Sequence, residues 1–294
     1  TWGTALRVVE YRNMLQFPFR MKPFDHQMEE FLISRDACAR GVFWEMGTGK
    51  TKLMIDTAAH LHLEGRINGL FVIAPNGVHR NWTVEEIPAH MPDSILGTCR
   101  SHWYSGSRHS SINHQRDMQR LFDHPKEGLA CLSMSFDSLM TDHGRDAAKR
   151  FLTTRKCLYV VDEARRIKDP AAKRTKRILA SSKFAEYRRI LNGTPIANGP
   201  FDVYSQVMFL DPEFWDKNGI GSFVGFRTMF ATFRPVKIAG GRTVSIVDSY
   251  KNLDILSKLL DKICTRVTKE DVLDLPPKLF SVRRFELTPQ QDAV

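Results

Sequence analysis

Residues 41–51 read GVFWEMGTGKT, and this stretch predicts the class of fold. Its apolar half, Gly41 to Trp44, is a strand candidate, and the segment Lys52 to Leu63 that follows is a helix candidate. Between them, Gly47 and Gly49 permit positive φ and a close approach of the backbone, so that N–H groups can surround a phosphate. A strand, a glycine-rich turn ending in Lys-Thr and a helix together predict a phosphate-binding loop.

This loop supplies the first candidate site residues. We expect Lys50 to neutralise the β- and γ-phosphates of ATP and so to take part in catalysis, and the Thr51 hydroxyl to ligate Mg²⁺. The bulky Trp44 departs from the small residue with which such loops usually open, but the strand-loop-helix context outweighs that departure. The predicted nucleotide-binding residues of the loop are Met46, Gly47, Thr48, Gly49, Lys50 and Thr51.

Further apolar segments repeat along the chain and alternate with helix candidates such as Ala171 to Ser181. These segments are Leu70 to Ala74, Leu129 to Met134, Cys157 to Val161 and Arg189 to Leu191. Continuous apolar strands that alternate with helices predict an α/β fold, a P-loop domain whose central parallel sheet is flanked by helices on both faces. Ligand sites in such sheets lie at the carboxyl ends of the strands.

Two adjacent carboxylates, Asp162 and Glu163, follow the apolar run that ends at Val161. Alone, such a pair is common in solvated loops. In a chain with a phosphate-binding loop it gains meaning, because Mg²⁺ requires an acidic anchor on a neighbouring strand. We therefore expect Asp162 to hold Mg²⁺ and Glu163 to orient and deprotonate the attacking water.

Residues 162–168, DEARRIK, and 191–198, LNGTPIAN, resemble motifs of the Swi/Snf branch of superfamily-two helicase-like ATPases. That family carries Asp-Glu-x-His followed by Ile-Lys, and later Leu-Thr-Gly-Thr-Pro-x-x-Asn. Here Arg165 replaces the histidine that couples the ATP site to DNA in the family, and Asn192 replaces the threonine. The resemblance implies a RecA-like lobe whose coupling residues are Arg165, Asn192, Gly193 and Thr194.

Further segments extend the resemblance from Met21 to the end of the chain. Residues 23–27, PFDHQ, resemble the glutamine motif, which implies that Gln27 reads the adenine edge; the alternative is a surface helix that begins there. Residues 74–82 and 133–137 resemble segments that contact the DNA backbone, and the predicted contacts are Arg80 and Ser135, whereas Trp82 is expected in the core. Residues 265–272, TRVTKEDV, and 275–278, LPPK, resemble the signature that closes the first lobe.

The resemblance also implies a domain organisation. We expect a lead-in over 1–20, the RecA-like ATP-binding lobe over 21–208, a largely helical elaboration over 209–273, and a linker over 274–294 toward a second RecA-like lobe. The aromatic residues after 209 are expected in the core rather than as base-stacking platforms, and the pair Gly240-Gly241 predicts a small hairpin. Because arginine fingers from the second lobe are worth about 10³ to 10⁵ in turnover, this lobe alone is expected to hydrolyse ATP slowly or undetectably.

Composition favours a polyanionic partner. The 294 residues carry a formal net charge of +10, and the resemblance makes double-stranded DNA, contacted through its backbone, the expected partner. A basic, well-solvated surface is the plainer interpretation. No stretch approaches the roughly 20 apolar residues that span a bilayer, so no membrane partner is expected. The odd number of cysteines, five, without a Cys-x-x-Cys pair favours an intracellular protein, cytoplasmic in a prokaryotic or phage-infected cell and nuclear in a eukaryotic one.

Two alternatives to a DNA-dependent ATPase motor remain at the level of sequence. The first is a catalytically degraded nucleic-acid-binding or interaction module on the same fold, which the departures at Trp44, Arg165 and Asn192 favour and the intact Lys50 and Asp162 oppose. The second is a small-molecule kinase that shares only the phosphate-binding loop. A kinase does not account for the Gly-Thr-Pro turn or for the closing signature.

Overall fold

The computed structural model describes residues 17–193, 199–237 and 240–272. Its strands are β1 (Ala39–Trp44), β2 (Gly69–Ala74), β3 (Arg100–Tyr104), β4 (Ala130–Ser135), β5 (Cys157–Asp162), β6 (Tyr187–Asn192), β7 (Ala231–Lys237), β8 (Thr243–Tyr250) and β9 (Cys264–Val267). Its α-helices are α1 (Asp25–Ser34), α2 (Lys50–Leu63), α3 (Val78–Asn81), α4 (Ile87–His90), α5 (Asp93–Leu96), α6 (Ile112–Phe122), α7 (Phe136–Met140), α8 (Asp142–Thr154), α9 (Lys173–Ser182), α10 (Tyr204–Leu210), α11 (Phe214–Lys217), α12 (Phe223–Phe230), α13 (Leu253–Asp261) and α14 (Lys269–Val272). A π-helical turn over Trp82–Glu86 joins α3 to α4.

Seven strands form one sheet in the order β3-β4-β2-β5-β6-β1-β9, and every neighbouring pair is parallel. The predicted parallel sheet is thereby confirmed. Its two edge strands, β3 and β9, were not among the apolar segments that the sequence singled out. An edge strand is covered on fewer sides than a central one, so its sequence need not be a continuous apolar run.

Hydrophobic cores lie on both faces of the sheet, and β1 shows how the sequence builds them. Side chains alternate between faces along a strand, so Val42 and Trp44 join one core whereas Phe43 joins the other. In β5, Leu158 and Val160 likewise oppose Tyr159 and Val161 across the sheet. Burial on both faces is the reason that the central strands read as uninterrupted apolar runs.

The region after residue 209 adds helices and the predicted hairpin. Phe214, Trp215, Phe226 and Phe230 are buried in the larger core, as expected for aromatic residues that pack rather than bind. Strands β7 and β8 pair antiparallel, with an irregular register between Thr232 and Phe233. The chain then passes through α13 and enters the main sheet as β9, next to β1. Within the described ranges, no helix has the length and apolar character needed to cross a membrane.

Candidate nucleotide and magnesium site

The loop between β1 and α2 folds as the glycines predict. Gly47 has φ +84° and Gly49 has φ +81°, backbone conformations that side-chain-bearing residues rarely adopt. Lys50 is the first residue of α2, and its Nζ donates to the carbonyl oxygens of Trp44 at 2.8 Å and Glu45 at 3.0 Å. The lysine therefore reaches back across its own loop, which positions its ammonium group at the carboxyl end of β1.

Trp44 does not obstruct the loop. Its side chain is fully buried on the core side of β1, and its ring packs edge-on against His26 with 5.1 Å between centroids. A bulky residue is accommodated there because the alternation of β1 turns it away from the loop. The departure from a small residue therefore changes the packing beneath the loop.

The carboxylates lie at the end of β5. Asp162 Oδ2 accepts a hydrogen bond from Trp82 Nε1 at 3.0 Å, and Asp162 Oδ1 accepts one from the Glu163 backbone N–H at 2.9 Å. Burial raises the pKa of Asp162 above its usual value, and the Trp82 hydrogen bond opposes that rise. Glu163 adopts φ +55°, a left-handed conformation that is uncommon outside glycine and clusters at functional sites.

Charge links the two strand ends. Burial lowers the pKa of Lys50, whereas the nearby carboxylates of Asp162 and Glu163 act in the opposite direction. The structure thus brings Lys50, Asp162 and Glu163 close enough for their charges to interact, although β6 separates β1 from β5 in the sheet. Thr51 is half-buried beside Lys50 at the start of α2.

Gln27 is tied to the phosphate-binding loop. Its side chain is buried, its Oε1 accepts from the Phe24 backbone N–H at 2.9 Å, and its Nε2 donates to the Gly49 carbonyl at 3.1 Å. His26 Nε2 also lies 2.9 Å from the Thr48 carbonyl, a contact that the sequence did not signal. Helix α1 therefore braces the loop through two consecutive side chains, and the adenine role of Gln27 stays a prediction.

The predicted coupling residues surround the same strand ends. Arg165 Nε pairs with Glu163 Oε2 at 3.2 Å. Asn192 is buried at the end of β6 and donates through Nδ2 to Gln206 Oε1 at 3.3 Å. A Cβ on Gly193 would stand 3.3 Å from Met46 Cγ, so the end of β6 lies against the phosphate-binding loop. Thr194 lies outside the described residues.

The two predicted DNA contacts differ in their surroundings. Arg80 is exposed, and its guanidinium carbon lies 5.6 Å from the ring centre of Trp103, as does that of Arg108. Ser135 is buried, and its hydroxyl caps α7 by accepting from the Ser138 backbone N–H at 3.0 Å. Arg80 is therefore available to a phosphate, whereas Ser135 is engaged within the fold; both roles stay predictions.

Trp82 lies in the core, as its sequence predicts, and also has a second role. The side chain is 1% exposed, as predicted, yet its indole N–H is directed at the predicted magnesium ligand. The signal in the sequence was only an Asn-Trp pair after β2. Its partner lies 80 residues away, and no local pattern identifies it.

The donor set fits a magnesium-bound triphosphate. Asp162 and Thr51 carry side-chain oxygen atoms, the hard donors that Mg²⁺ prefers, and Lys50 lies near the acidic pair. Among the residues described, no three His, Cys, Asp or Glu side chains form a metal cage. Magnesium in nucleotide sites is usually held by one or two carboxylates together with substrate phosphates, so a sparse protein ligand set is what such a site requires.

Comparison with known proteins places this chain in a family. A family described as SNF2-related domain matches residues 25–294. A chromatin-remodeling ATPase INO80 of Arabidopsis thaliana is 31% identical over 59% of this chain and 11% of its own length, and the ATP-dependent helicase fft1 of Schizosaccharomyces pombe is 25% identical over 84% of this chain and 24% of its own length. The chain therefore spans a quarter or less of these relatives.

Solved structures agree on the fold. A Sulfolobus solfataricus SWI2/SNF2 ATPase core in complex with dsDNA superposes with a TM-score of 0.62 at 23% identity, covering 88% of this chain and 48% of that one. The core domain from the same organism gives 0.61 at 24% identity, covering 95% and 51%. The described sheet is thus the RecA-like sheet of these cores. Because the family match extends over more than half of the chain, the chain belongs to the SNF2-related domain family.

Proposed function

We propose that this chain is the ATP-binding first lobe of a DNA-dependent ATPase that translocates along double-stranded DNA. The observation that carries the proposal is the convergence of Lys50 with Asp162 and Glu163 at two strand ends. Membership of the SNF2-related domain family and the fold shared with a core in complex with dsDNA support it. Hydrolysis requires a second RecA-like lobe of the same polypeptide, and the protein acts inside the cell.

Each residue of the site has a distinct task in this mechanism. Backbone N–H groups of the loop and the Lys50 ammonium bind the phosphates, while Gln27 contributes at the adenine end. Thr51 and Asp162 would hold Mg²⁺, which supplies Lewis-acid polarisation of the phosphates when bound. Glu163 accepts the proton of the attacking water at its carboxylate.

Arg165 acts on Glu163 in this proposal. The ion pair at 3.2 Å fixes one carboxylate oxygen of Glu163, and Arg165 itself is exposed at 55% of its side chain. An exposed cation that orients the general base can respond to a nearby DNA phosphate, which is the coupling task assigned to histidine in the family. The net charge of +10 favours contacts with the DNA backbone that do not depend on base sequence.

Binding and hydrolysis assays test the proposal. Lys50→Ala should weaken binding of a fluorescent ATP analogue with Mg²⁺, whereas Lys149→Ala, which alters an exposed lysine of α8, should not. In the polypeptide with both lobes, Glu163→Gln should retain binding but lower DNA-stimulated hydrolysis by about 10² to 10⁴. Equal affinity of wild type and Lys50→Ala would refute the site. Retained DNA binding without any ATP hydrolysis in the wild type would favour the interaction module instead.

DNA binding has its own test. Each phosphate neutralised should contribute about −0.9 to the slope of log affinity against log salt concentration. Arg80→Ala should make that slope shallower, by about one unit, for DNA of any sequence. A slope near zero for the wild type would contradict binding through the backbone.

A further inference from the structure

The segment that follows β9 is attached to the phosphate-binding loop. Strand β9 pairs with β1, and the pairing continues beyond the strands because the Glu45 N–H donates to the Val267 carbonyl at 3.0 Å. The Glu45 carboxylate then accepts a hydrogen bond from the backbone N–H of Lys269 at 2.8 Å. Glu45 therefore holds the backbone of Lys269 beside the loop, although 224 positions separate the two residues.

A local turn fixes the same residue from the other side. The Thr268 N–H and hydroxyl both donate to Asp271 Oδ2, at 3.0 Å and 2.6 Å. These two hydrogen bonds lower the pKa of Asp271, so its carboxylate stays ionised and the turn stays closed near neutral pH. Lys269 stands between these two residues, and its main chain is thus restrained by β9, by Glu45 and by this turn.

The side chain of Lys269 extends over the loop. A Cβ placed on Gly47 would lie 3.6 Å from Lys269 Cε and 3.7 Å from Lys269 Nζ. Lys50 follows Gly47 by three positions and begins α2, so the two lysines lie beside the same phosphate-binding loop although they come from opposite ends of the chain. In the part of the chain that the structure describes, Lys269 forms no ion pair. Two ammonium groups beside one glycine loop gain most from an anion placed between them.

We propose that Lys269 is a second phosphate-binding lysine, which contacts phosphate oxygens of the nucleoside triphosphate together with Lys50. This inference rests on the proposed function and adds a ligand contact from the far end of the chain. Because Lys269 is fixed on the segment after β9, a bound triphosphate contacts that segment as well as the loop. The site thereby distinguishes nucleotides by the negative charge of their phosphates.

A matched set of lysine variants tests this contact. The affinity for fluorescent analogues of ATP, ADP and adenosine would be measured in the presence of Mg²⁺. The proteins compared are the wild type, Lys269→Ala, Lys269→Arg, Lys50→Ala and Lys262→Ala. Lys262 is an exposed lysine of the same region whose Nζ bonds Asn218 Oδ1 at 3.1 Å, so its variant controls for the loss of one surface charge. Both Lys269 variants keep the backbone N–H that Glu45 accepts.

Lys269→Ala should weaken binding of the ATP analogue about tenfold, as expected for one charge-assisted hydrogen bond, and make its salt dependence shallower. Adenosine binding should be unchanged, Lys269→Arg should stay within about threefold of wild type, and Lys262→Ala should match wild type. The inference would be overturned by unchanged ATP affinity in Lys269→Ala, or by equal losses of affinity in Lys269→Ala and Lys262→Ala. Lys50→Ala tests the phosphate-binding loop independently of Lys269. If Lys50→Ala also binds normally, the proposed function itself fails.

Discussion

Trp82 is predicted to stabilise the protein through a charged acceptor, and comparison of its phenylalanine variant with that of a matched tryptophan isolates that effect. Trp82→Phe deletes the hydrogen bond to Asp162 Oδ2 and part of a buried ring. Trp215 provides the matched control, since it is also 1% exposed and its Nε1 donates at 3.0 Å to the neutral carbonyl of Tyr204. Both variants lose the same part of a buried ring, so the difference between their losses in unfolding free energy measures the effect of a charged rather than a neutral acceptor.

The magnitude follows from the two acceptors. A hydrogen bond to a charged group contributes about 1.5–3 kcal/mol to stability, whereas a neutral one contributes about 0.5–1.5 kcal/mol. At a pH where Asp162 is ionised, Trp82→Phe should therefore cost about 1 kcal/mol more than Trp215→Phe. For a chain of this size, 1 kcal/mol lowers the midpoint of thermal unfolding by about 2 °C.

Thermal and urea unfolding of both variants, without nucleotide or Mg²⁺, measure this difference. Because Asp162 is the proposed magnesium anchor, Trp82→Phe should also raise the Mg²⁺ concentration needed for half-maximal nucleotide binding, and Trp215→Phe should leave it unchanged. Equal destabilisation by the two substitutions, together with equal Mg²⁺ requirements, would refute the idea that Trp82 supports the carboxylate.

Three further predictions concern the fold around the site. Gly49→Ala should lower the unfolding free energy by about 1–2 kcal/mol because φ at this position is +81°. The new Cβ would also overlap the Gln27 amide, so adding Gln27→Ala should recover only the steric part of the loss. Full recovery in the double variant would argue against backbone strain. Burial raises the pKa of Asp56 to about 6 from 3.8, so folding favours its protonated form. The unfolding free energy should therefore fall by about 3 kcal/mol as pH rises through that interval. Asp56→Asn should make the unfolding free energy measured in urea depend less on pH, and an unchanged pH profile would contradict this. Arg189→Met should lower the unfolding free energy by about 2–4 kcal/mol in the same assay. The reason is that the fully buried guanidinium donates to the backbone carbonyls of Ser34 and Ala37, which would lose their partner. A loss under about 1 kcal/mol would contradict this prediction.

The sequence predicted those parts of the site whose chemistry is local. Gly47, Gly49 and Lys50 lie within four consecutive positions, and their spacing alone indicates a turn that binds phosphate. The apolar run that ends at Val161 indicated a central strand because both of its faces are buried. These inferences needed no knowledge of which strands are neighbours.

Edge strands and the contacts between distant segments escaped prediction. Strand β3 is only partly buried, so its sequence does not read as a core strand. The hydrogen bond of Trp82 depends on the position of the segment after β2 relative to the end of β5, and sequence spacing does not specify that position.

The phosphate-binding loop, the acidic strand end and the parallel α/β class could be predicted without the structure, because the residues that form each feature are neighbours along the chain. The hydrogen bond from Trp82 to Asp162 and the position of Lys269 over Gly47 depend instead on how distant segments pack. The physical reason is the order of the sheet, which places β9 beside β1 and β5 beside β2. That order is the outcome of packing the whole chain into two cores, and no short segment contains it.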